Sequence, residues 1–256
     1  MLVDSHCHLD LLDLTAYQGD LNRALQAAVN NGVEHLLCVC VELRYFSRIL
    51  EIALAHDNID VSVGLHPSEA VEQEPSAEDL IALASHPKVV ALGETGLDYY
   101  RCQGDMTWQQ ERFRQHIRAA RAVKKPLIIH TRQAQADTLR ILREENAESV
   151  GGVMHCFTET WEMAEQAMAL GFYISFSGIV TFQNAKDLQA VAKKVPLERM
   201  LIETDSPFLA PVPFRGKPNE PAHVKYVAQY LAELKQIDLK HLAEQTTQNF
   251  YRLFKS

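Results

Sequence analysis

The sequence predicts a (β/α)8 barrel, an α/β fold in which eight parallel strands alternate with helices. Three observations support this prediction. The chain has 256 residues, a length that α/β barrels commonly reach as one domain. Short runs rich in β-branched residues alternate with amphipathic helical patterns eight times, at the roughly 30-residue spacing of a βα unit. No Gly-x-Gly-x-x-Gly turn follows the first run, which weakens the main alternative, a doubly wound open sheet.

The first half of the chain contains four predicted βα units. Their strands are predicted at residues 2–6, 33–41, 59–65 and 89–94. After the first strand, apolar residues recur at the i, i+3, i+4, i+7 spacing of a helix, at Leu21, Ala24, Leu25 and Ala28. A second helix is predicted at residues 46–55. The third is predicted to begin after Ser76, a capping residue with Asp79 three positions later.

The second half repeats the same alternation. Its strands are predicted at residues 126–131, 151–157, 172–177 and 199–205, and two C-terminal helical segments at residues 221–234 and 239–254. No break in composition indicates a domain boundary, so we expect one domain over residues 1–256. The proline-rich stretch at 206–221 follows the eighth strand, and we interpret it as a loop over the catalytic face of the barrel.

Composition limits the classes of function. The chain has 47% hydrophobic and 23% charged residues, which excludes a disordered chain or a coiled coil. Lys and Arg number 25 against 33 Asp and Glu, a net charge of −8, which disfavours binding of nucleic acid by a broad basic surface. Bound metal ions could still supply positive charge locally.

The five cysteines are odd in number and form no Cys-x-x-Cys motif, which argues against a disulfide framework or a zinc finger. The chain shows neither a signal-peptide pattern nor about 18 consecutive apolar residues, so we expect a cytoplasmic protein without a membrane span.

Residues typical of metal sites follow the predicted strands. His6 and His8 are two positions apart on an extended strand, so both imidazoles lie on one face and could chelate one divalent ion. Histidines and carboxylates also lie at or just beyond the ends of four other strands. The candidate metal ligands are His6, His8, Glu94, His130, His155 and Asp205. A barrel has its active site at these strand ends, so the sequence predicts a metal centre there.

This ligand set predicts two divalent ions rather than one. Six candidates exceed the need of a single tetrahedral ion with an open position. A carboxylate commonly bridges two ions about 3.5–4 Å apart, and Glu94 on the fourth strand is the predicted bridge. The predicted ligands are His6, His8 and Asp205 for one ion and His130 and His155 for the other. Mixed imidazole and carboxylate ligation suits Zn or Mn, whereas Mg prefers more oxygen; the sequence leaves the choice among the three open.

Other histidines and cysteines near these strands receive different interpretations. His66 ends the third strand, but Pro67 follows it, so we expect it to contact substrate rather than a metal. Cys7 and Cys156 each neighbour a candidate ligand, and strand alternation predicts that they point away into the layer between barrel and helices. Solvent-facing positions are expected for His35, His56, His86, His116, His223 and His241.

Seven motifs in order along the chain resemble those of the TatD family of metal-dependent deoxyribonucleases and related hydrolases. They are SHCHLD (5–10), GLHP (64–67), GETGLDYY (93–100), HTR (130–132), HCFTE (155–159), GFYISFSG (171–178) and ETDSPFLAP (203–211). The resemblance implies an amidohydrolase-like TIM barrel with a two-metal site, and it assigns the same six ligands. It also implies a metal-dependent DNase, often a 3′–5′ exonuclease on single strands, whose substrate would be a single-stranded DNA end or a small phosphoester.

The expected mechanism is attack of a metal-activated water on a phosphodiester. Asp205 would orient or deprotonate that water, and Glu203 is either a second candidate base or a carboxylate that orients a ligand histidine. Asp98 could orient a ligand in the same way. Candidate phosphate contacts are Arg132, Arg215 and Lys217, with Arg44 and Arg101 also on βα loops. Tyr99, Tyr100 and Phe208 could stack on bases.

Two other functions remain open at the level of sequence. The barrel could hydrolyse an amide, an ester or a small phosphoester, or it could bind metal without catalysing a reaction. The sequence does not determine the oligomeric state and is compatible with a monomer.

Overall fold

The computed structural model describes residues 1–255 and confirms the predicted barrel. Within these residues, eight parallel strands follow one another in the order β1 to β8 around one sheet. The strands are β1 (Leu2–Cys7), β2 (Val33–Cys38), β3 (Ile59–Val63), β4 (Val89–Asp98), β5 (Leu127–Arg132), β6 (Gly152–Met154), β7 (Phe172–Phe176) and β8 (Met200–Ile202). Such an order brings all carboxyl-terminal strand ends to one face of the molecule.

The helices surround the sheet and bury their apolar faces against it. They are α1 (Leu21–Asn30), α2 (Phe46–Ala55), α3 (Ala77–Ala84), α4 (Thr107–Val123), α5 (Gln135–Glu144), α6 (Trp161–Ala169), α7 (Lys186–Lys194), α8 (Val224–Lys235) and α9 (Leu239–Phe254). The predicted face of α1 is buried at Ala24, Leu25 and Ala28. At the start of α3, Ser76 and Asp79 form the predicted reciprocal cap, with each side chain accepting the other's backbone N–H. None of the helices in residues 1–255 has both the length and the apolar character that a membrane crossing requires.

Several strands end at different residues from those predicted. β6 and β8 are shorter than expected and end at Met154 and Ile202, and Cys156 and Asp205 beyond them adopt positive φ angles of 43° and 56° that exclude a continued extended backbone. β4 continues to Asp98 instead of ending at Glu94, because it pairs with β5 along its whole second half. The metal-ligand candidates after β6 and β8 therefore lie on turns whose backbone conformation fixes their direction.

Contacts between β8 and β1 close the barrel. The Asp205 N–H donates to His6 O at 2.9 Å, and the His8 N–H donates to Ser206 O at 2.8 Å. Two residues before His6, the buried Asp4 carboxyl accepts hydrogen bonds from the Thr204 N–H and the Thr204 hydroxyl, at 2.8 and 2.5 Å. Burial raises the pKa of Asp4 to about 8 despite these donors. The first and the last strand of the barrel are thus held together directly beneath the site.

Helix α9 packs against the amino-terminal ends of the strands, opposite the site. Phe250 and Phe254 join the apolar interior of the barrel. An ion-pair cluster fixes the end of the helix: Asp60 Oδ2 lies 2.8 Å from both His35 Nε2 and Lys255 Nζ. Burial alone would raise the pKa of Asp60, but His35 and Lys255 outweigh it and hold that pKa below its ordinary value.

This cluster corrects the expectation for His35. Together with His116, whose Nε2 accepts the Leu65 N–H inside the helix layer, it is a buried structural histidine and not a solvent-facing one.

Replacing Asp60 with Asn should lower the free energy of unfolding at pH 7 by about 1–3 kcal/mol, because a buried charged hydrogen-bond acceptor is lost. The pKa of Asp60 is lower in the folded than in the unfolded chain, so its carboxylate stabilises the fold above about pH 4, and this contribution disappears as the pH falls through the folded pKa. The difference between Asp60→Asn and the parent should therefore shrink below about pH 4 in denaturant titrations. The exposed Asp57→Asn is the control, and equal stability of both variants at pH 7 would contradict the assignment.

Candidate metal centre

An open cavity of about 510 Å³ lies at the carboxyl-terminal face of the barrel. The predicted ligands His8, Glu94, His130, His155 and Asp205 line it. His6 lies beneath them and is fully buried. The structure therefore brings all six candidates together from the ends of β1, β4, β5, β6 and β8. This is expected, because the carboxyl-terminal strand ends of a barrel meet at one face.

Glu94 occupies the middle of this cluster. Its Oε1 lies 2.8 Å from His155 Nε2 and 3.1 Å from His130 Nδ1, and its Oε2 lies 3.3 Å from His6 Nε2. The backbone before it is closely packed: a Cβ on Gly64 would lie 2.3 Å from the carbonyl carbon of Gly93, so only glycine fits beside this point of β4. One carboxylate oxygen thus faces each side of the cluster.

The first side consists of His6, His8 and Asp205. Asp205 Oδ1 lies 3.3 Å from His8 Nε2 and 3.6 Å from His6 Nε2. His8 donates its Nδ1–H to Val39 O at 3.0 Å, which leaves Nε2 with its lone pair directed at the cluster. This is the trio that the sequence assigns to one ion, and its ligand atoms are close enough to share one.

The second side contains a residue that the sequence did not assign to a metal. His66 Nε2 lies 3.4 Å from Glu94 Oε1, and the donor atoms of His66, Glu94 and His130 lie within 4.8 Å of one another. His155 stacks on the His6 ring with centroids 3.9 Å apart and lies between the two sides. Geometry therefore allows His66 to join the ligand set, in addition to lining the cavity as a substrate contact.

The side chains fit bound divalent cations. Neither ring nitrogen of the fully buried His6 makes a hydrogen bond within residues 1–255. A buried polar atom without a partner is costly, so an imidazole in this position indicates a ligand that these contacts do not supply. Imidazoles with two central carboxylates are the donor set of Zn or Mn sites.

Two further carboxylates hold ligand histidines from behind. Asp98 Oδ2 lies 3.1 Å from His130 Nε2, while its Oδ1 accepts the N–H groups of Tyr100 and Arg101. Glu203 Oε1 lies 3.3 Å from His155 Nδ1 and accepts the Cys156 N–H at 2.6 Å. Carboxylates in such contacts fix the orientation and tautomer of a ligand imidazole.

The charges of the cluster are strongly coupled. Burial alone would raise the pKa of Glu94, but the facing imidazoles of His155 and His66 hold it well below its usual range. Burial would lower the pKa of His155, but Glu94 and Glu203 raise it well above its usual range. Burial lowers the pKa of His66 to about 3, an effect that Glu94 only partly offsets. Glu94 and His155 thus favour each other's charged forms, and bound cations would supply positive charge beside the carboxylates.

The predicted substrate contacts divide into two groups. Arg132 and Arg101 line the cavity, and the Arg132 guanidinium lies 3.9 Å above the centre of the Tyr100 ring. Arg215 and Lys217 are exposed on the loop after β8 and do not line it; the guanidinium of Arg215 lies over Phe182. Arg44 also lies outside the cavity and pairs with Glu42.

The carboxylates and cysteines near the cavity agree only in part with the sequence predictions. Glu42 and Glu69, on the loops after β2 and β3, form an acidic wall, and their positions at strand ends are the signal that could have found them. Cys7 points away from the site as expected, toward Leu37 O. The prediction for Cys156 was wrong: it lines the cavity, because its positive φ ends the strand alternation on which the prediction relied.

A family model described as TatD related DNase matches residues 3–255. The chain belongs to this family. The family assigned by resemblance is thereby confirmed, and so is the prediction of a metal-dependent hydrolase at the level of the family.

Individual relatives are similar over nearly the whole chain. An uncharacterized metal-dependent hydrolase, YcfH of Escherichia coli K12, is 51% identical over 99% of this chain and 95% of its own length. The 3′-5′ ssDNA/RNA exonuclease TatD of Edwardsiella piscicida is 32% identical over 93% of this chain and 95% of its own. The crystal structure of the TatD homologue YJJV of Escherichia coli superposes with a TM-score of 0.87 at 28% identity, covering 100% of this chain and 98% of that one.

Glu203→Gln should weaken metal binding by about tenfold to a hundredfold, because the amide removes the negative charge that orients and polarises His155. Calorimetric titration of the metal-free protein with Zn or Mn measures the change. Glu165→Gln, on the exposed face of α6, is the matched control. Unchanged affinity in Glu203→Gln, with an unchanged fold, would show that this carboxylate does not act on His155.

Proposed function

We propose that the protein is a two-metal phosphodiesterase that hydrolyses single-stranded DNA from an end, with a small phosphoester as the alternative substrate. The observation that carries the proposal is the clustering of five imidazoles with Glu94 and Asp205 at the base of an open cavity that also contains two arginines. The 3′-5′ exonuclease activity named for the Edwardsiella relative supports the choice of nucleic acid.

Two ions, one on each side of Glu94, are the arrangement that the donor atoms favour. His6, His8 and Asp205 would hold one ion, and His130 with His155 or His66 the other. When bound, such ions polarise a phosphoryl oxygen and lower the pKa of a water toward neutrality. The choice among Zn, Mn and Mg is left to elemental analysis.

Asp205 is the better placed of the two candidate bases. It lines the cavity, whereas Glu203 is fully buried and its Oε1 is engaged by Cys156 and His155. Asp205 would therefore accept a proton from the attacking water on its carboxylate, and Glu203 would keep His155 in position. Glu94 would act as the shared ligand and not as a base.

Arg132 would bind the phosphate. Its stacking on Tyr100 restrains a long flexible side chain, so less conformational entropy is lost when the guanidinium contacts a phosphate oxygen. An arginine wall also suits an anionic phosphoester better than the neutral amide or ester that remained as alternatives. We therefore favour phosphodiester hydrolysis over both, and over a barrel that binds metal without reaction.

Replacing both His6 and His8 with Ala should remove at least one ion and reduce hydrolysis of single-stranded DNA by more than about a hundredfold, because the metal would lose two of its direct ligands. Elemental analysis and a panel of DNA, RNA, ester, amide and small phosphoester substrates test the change. His241→Ala, at an exposed position of α9, should alter neither metal content nor activity. Retention of full metal content and full activity by the double variant would refute the site.

Arg132→Ala should lower kcat/KM for single-stranded DNA by about tenfold to a hundredfold while leaving metal content unchanged, since one charge-assisted contact to phosphate is lost. Arg252→Ala, an exposed substitution on α9, is the control. Arg215→Ala and Lys217→Ala test the remaining predicted contacts, and we expect smaller effects because neither residue lines the cavity. An unaltered kcat/KM in Arg132→Ala would exclude Arg132 from phosphate binding.

A further inference from the structure

The rim of the cavity is chemically asymmetric. The loop after β4 contributes Arg101 and the end of β5 contributes Arg132, whereas loops after β8 and β1 contribute Phe208, Leu209 and Leu11. In a ring of eight strands in sequential order, β8 lies opposite β4 and β1 opposite β5. An apolar wall therefore faces a cationic wall across the metal centre. Such a pair of walls matches a ligand that is anionic on one side and apolar on the other.

Phe208 is the main element of the apolar wall, and its backbone is held rigidly. Its N–H donates to Asp205 O at 2.9 Å, and its carbonyl accepts a hydrogen bond from Asn219 Nδ2 at 2.6 Å. Asn219 is buried and also bonds through its backbone N–H to Pro207 O. The turn after β8 therefore holds the backbone of Phe208 at a defined position beside Asp205.

The Phe208 ring has an open face. The side chain is 53% exposed, and its aromatic contact is an edge-on approach to the His8 ring, with centroids 6.1 Å apart. Exposing a large aromatic side chain on a rigid turn forgoes the stabilisation that burial would give. It also means that a flat ligand can stack on the ring with little loss of conformational entropy.

We infer that Phe208 is a specificity-determining residue that stacks on the nucleobase adjoining the scissile phosphodiester, while Arg132 on the opposite wall holds the phosphate. This inference rests on the proposed function and names the part of the substrate that the site recognises beyond its phosphate. The base is read by its flat aromatic face, so the preference extends to all four bases and disappears when the base is absent.

The position of the acidic wall, formed by Glu42 and Glu69, agrees with this orientation of the substrate. Glu42 and Glu69 lie on the loops after β2 and β3, between the two walls, and burial together with the charge of Glu42 raises the pKa of Glu69. A second backbone phosphate on this side would meet like charges. The substrate is thus directed along the line from Arg132 to Phe208.

The test compares two substrates that share a backbone. One is a thymidine hexanucleotide, and the other has a tetrahydrofuran in place of every nucleoside, so that phosphates are kept and bases are lost. The ratio of the two kcat/KM values of the metal-loaded protein measures base recognition independently of overall activity. The parent should prefer the base-bearing strand, and Phe208→Leu should reduce this ratio by about tenfold to a hundredfold, mainly through KM. Phe208→Trp should retain it.

Two controls separate stacking from other effects. Tyr45 is an exposed aromatic on the same face of the barrel but outside the cavity, and Tyr45→Leu should keep the parental ratio. Metal content should be the same in all variants, because Phe208 touches His8 only at its edge. Calorimetric binding of thymidine monophosphate should weaken in Phe208→Leu alone.

The outcomes distinguish the inference from the proposed function. If the parent hydrolyses both strands equally well, or if Phe208→Leu keeps the parental ratio, Phe208 does not recognise the base, although the phosphodiesterase assignment stands. If the parent hydrolyses no phosphodiester in the presence of Zn, Mn or Mg, the proposed function is overturned and the inference with it.

Discussion

The interaction on which the rest of the structure depends is the electrostatic balance around the buried Glu94 carboxylate. A carboxylate without water carries a large desolvation cost unless cations or hydrogen-bond donors surround it. Here four imidazoles surround it, from β1, β5 and β6 and from the end of β3, within 2.8 to 3.4 Å. Each of these strands must therefore end at the level of Glu94 along the barrel axis. The charge of one residue thus limits where several strands can end.

The closure of the barrel serves the same centre. Hydrogen bonds between His6 and Asp205 and between His8 and Ser206 join the first strand to the turn after β8. Without them the trio of His6, His8 and Asp205 would not form, because Asp205 lies about 200 positions from the two histidines in the sequence. The buried Asp4 and Thr204 reinforce this contact through two further hydrogen bonds. The contacts between β1 and the turn after β8 thus stabilise the fold and also set the geometry of the candidate ligands.

The residues around the candidate metal centre fall into two groups, those that orient the ligand imidazoles and those that a substrate can contact. Carboxylates that face away from the cavity, Asp98 and Glu203, fix the imidazoles from behind. Side chains on the rim, such as Arg132 and Phe208, are available to a ligand. The candidate metal ligands thus lie at or just beyond the strand ends, and the rim around them is the part of the site that is free to differ between substrates.

The sequence by itself determined the barrel, most helix positions and the six candidate ligands, because hydrophobic periodicity and residue type at strand ends are local properties of the chain. Only the tertiary structure decided which atoms meet. It placed His66 beside Glu94, turned Cys156 into the cavity and left Arg215 and Lys217 outside it. The physical reason is that turns with positive φ, such as those at Cys156 and Asp205, break strand alternation, and that distances between loops depend on how all eight strands close. The backbone position that presents the exposed ring of Phe208 likewise depends on its hydrogen bond with Asn219, which no pattern in the sequence expresses.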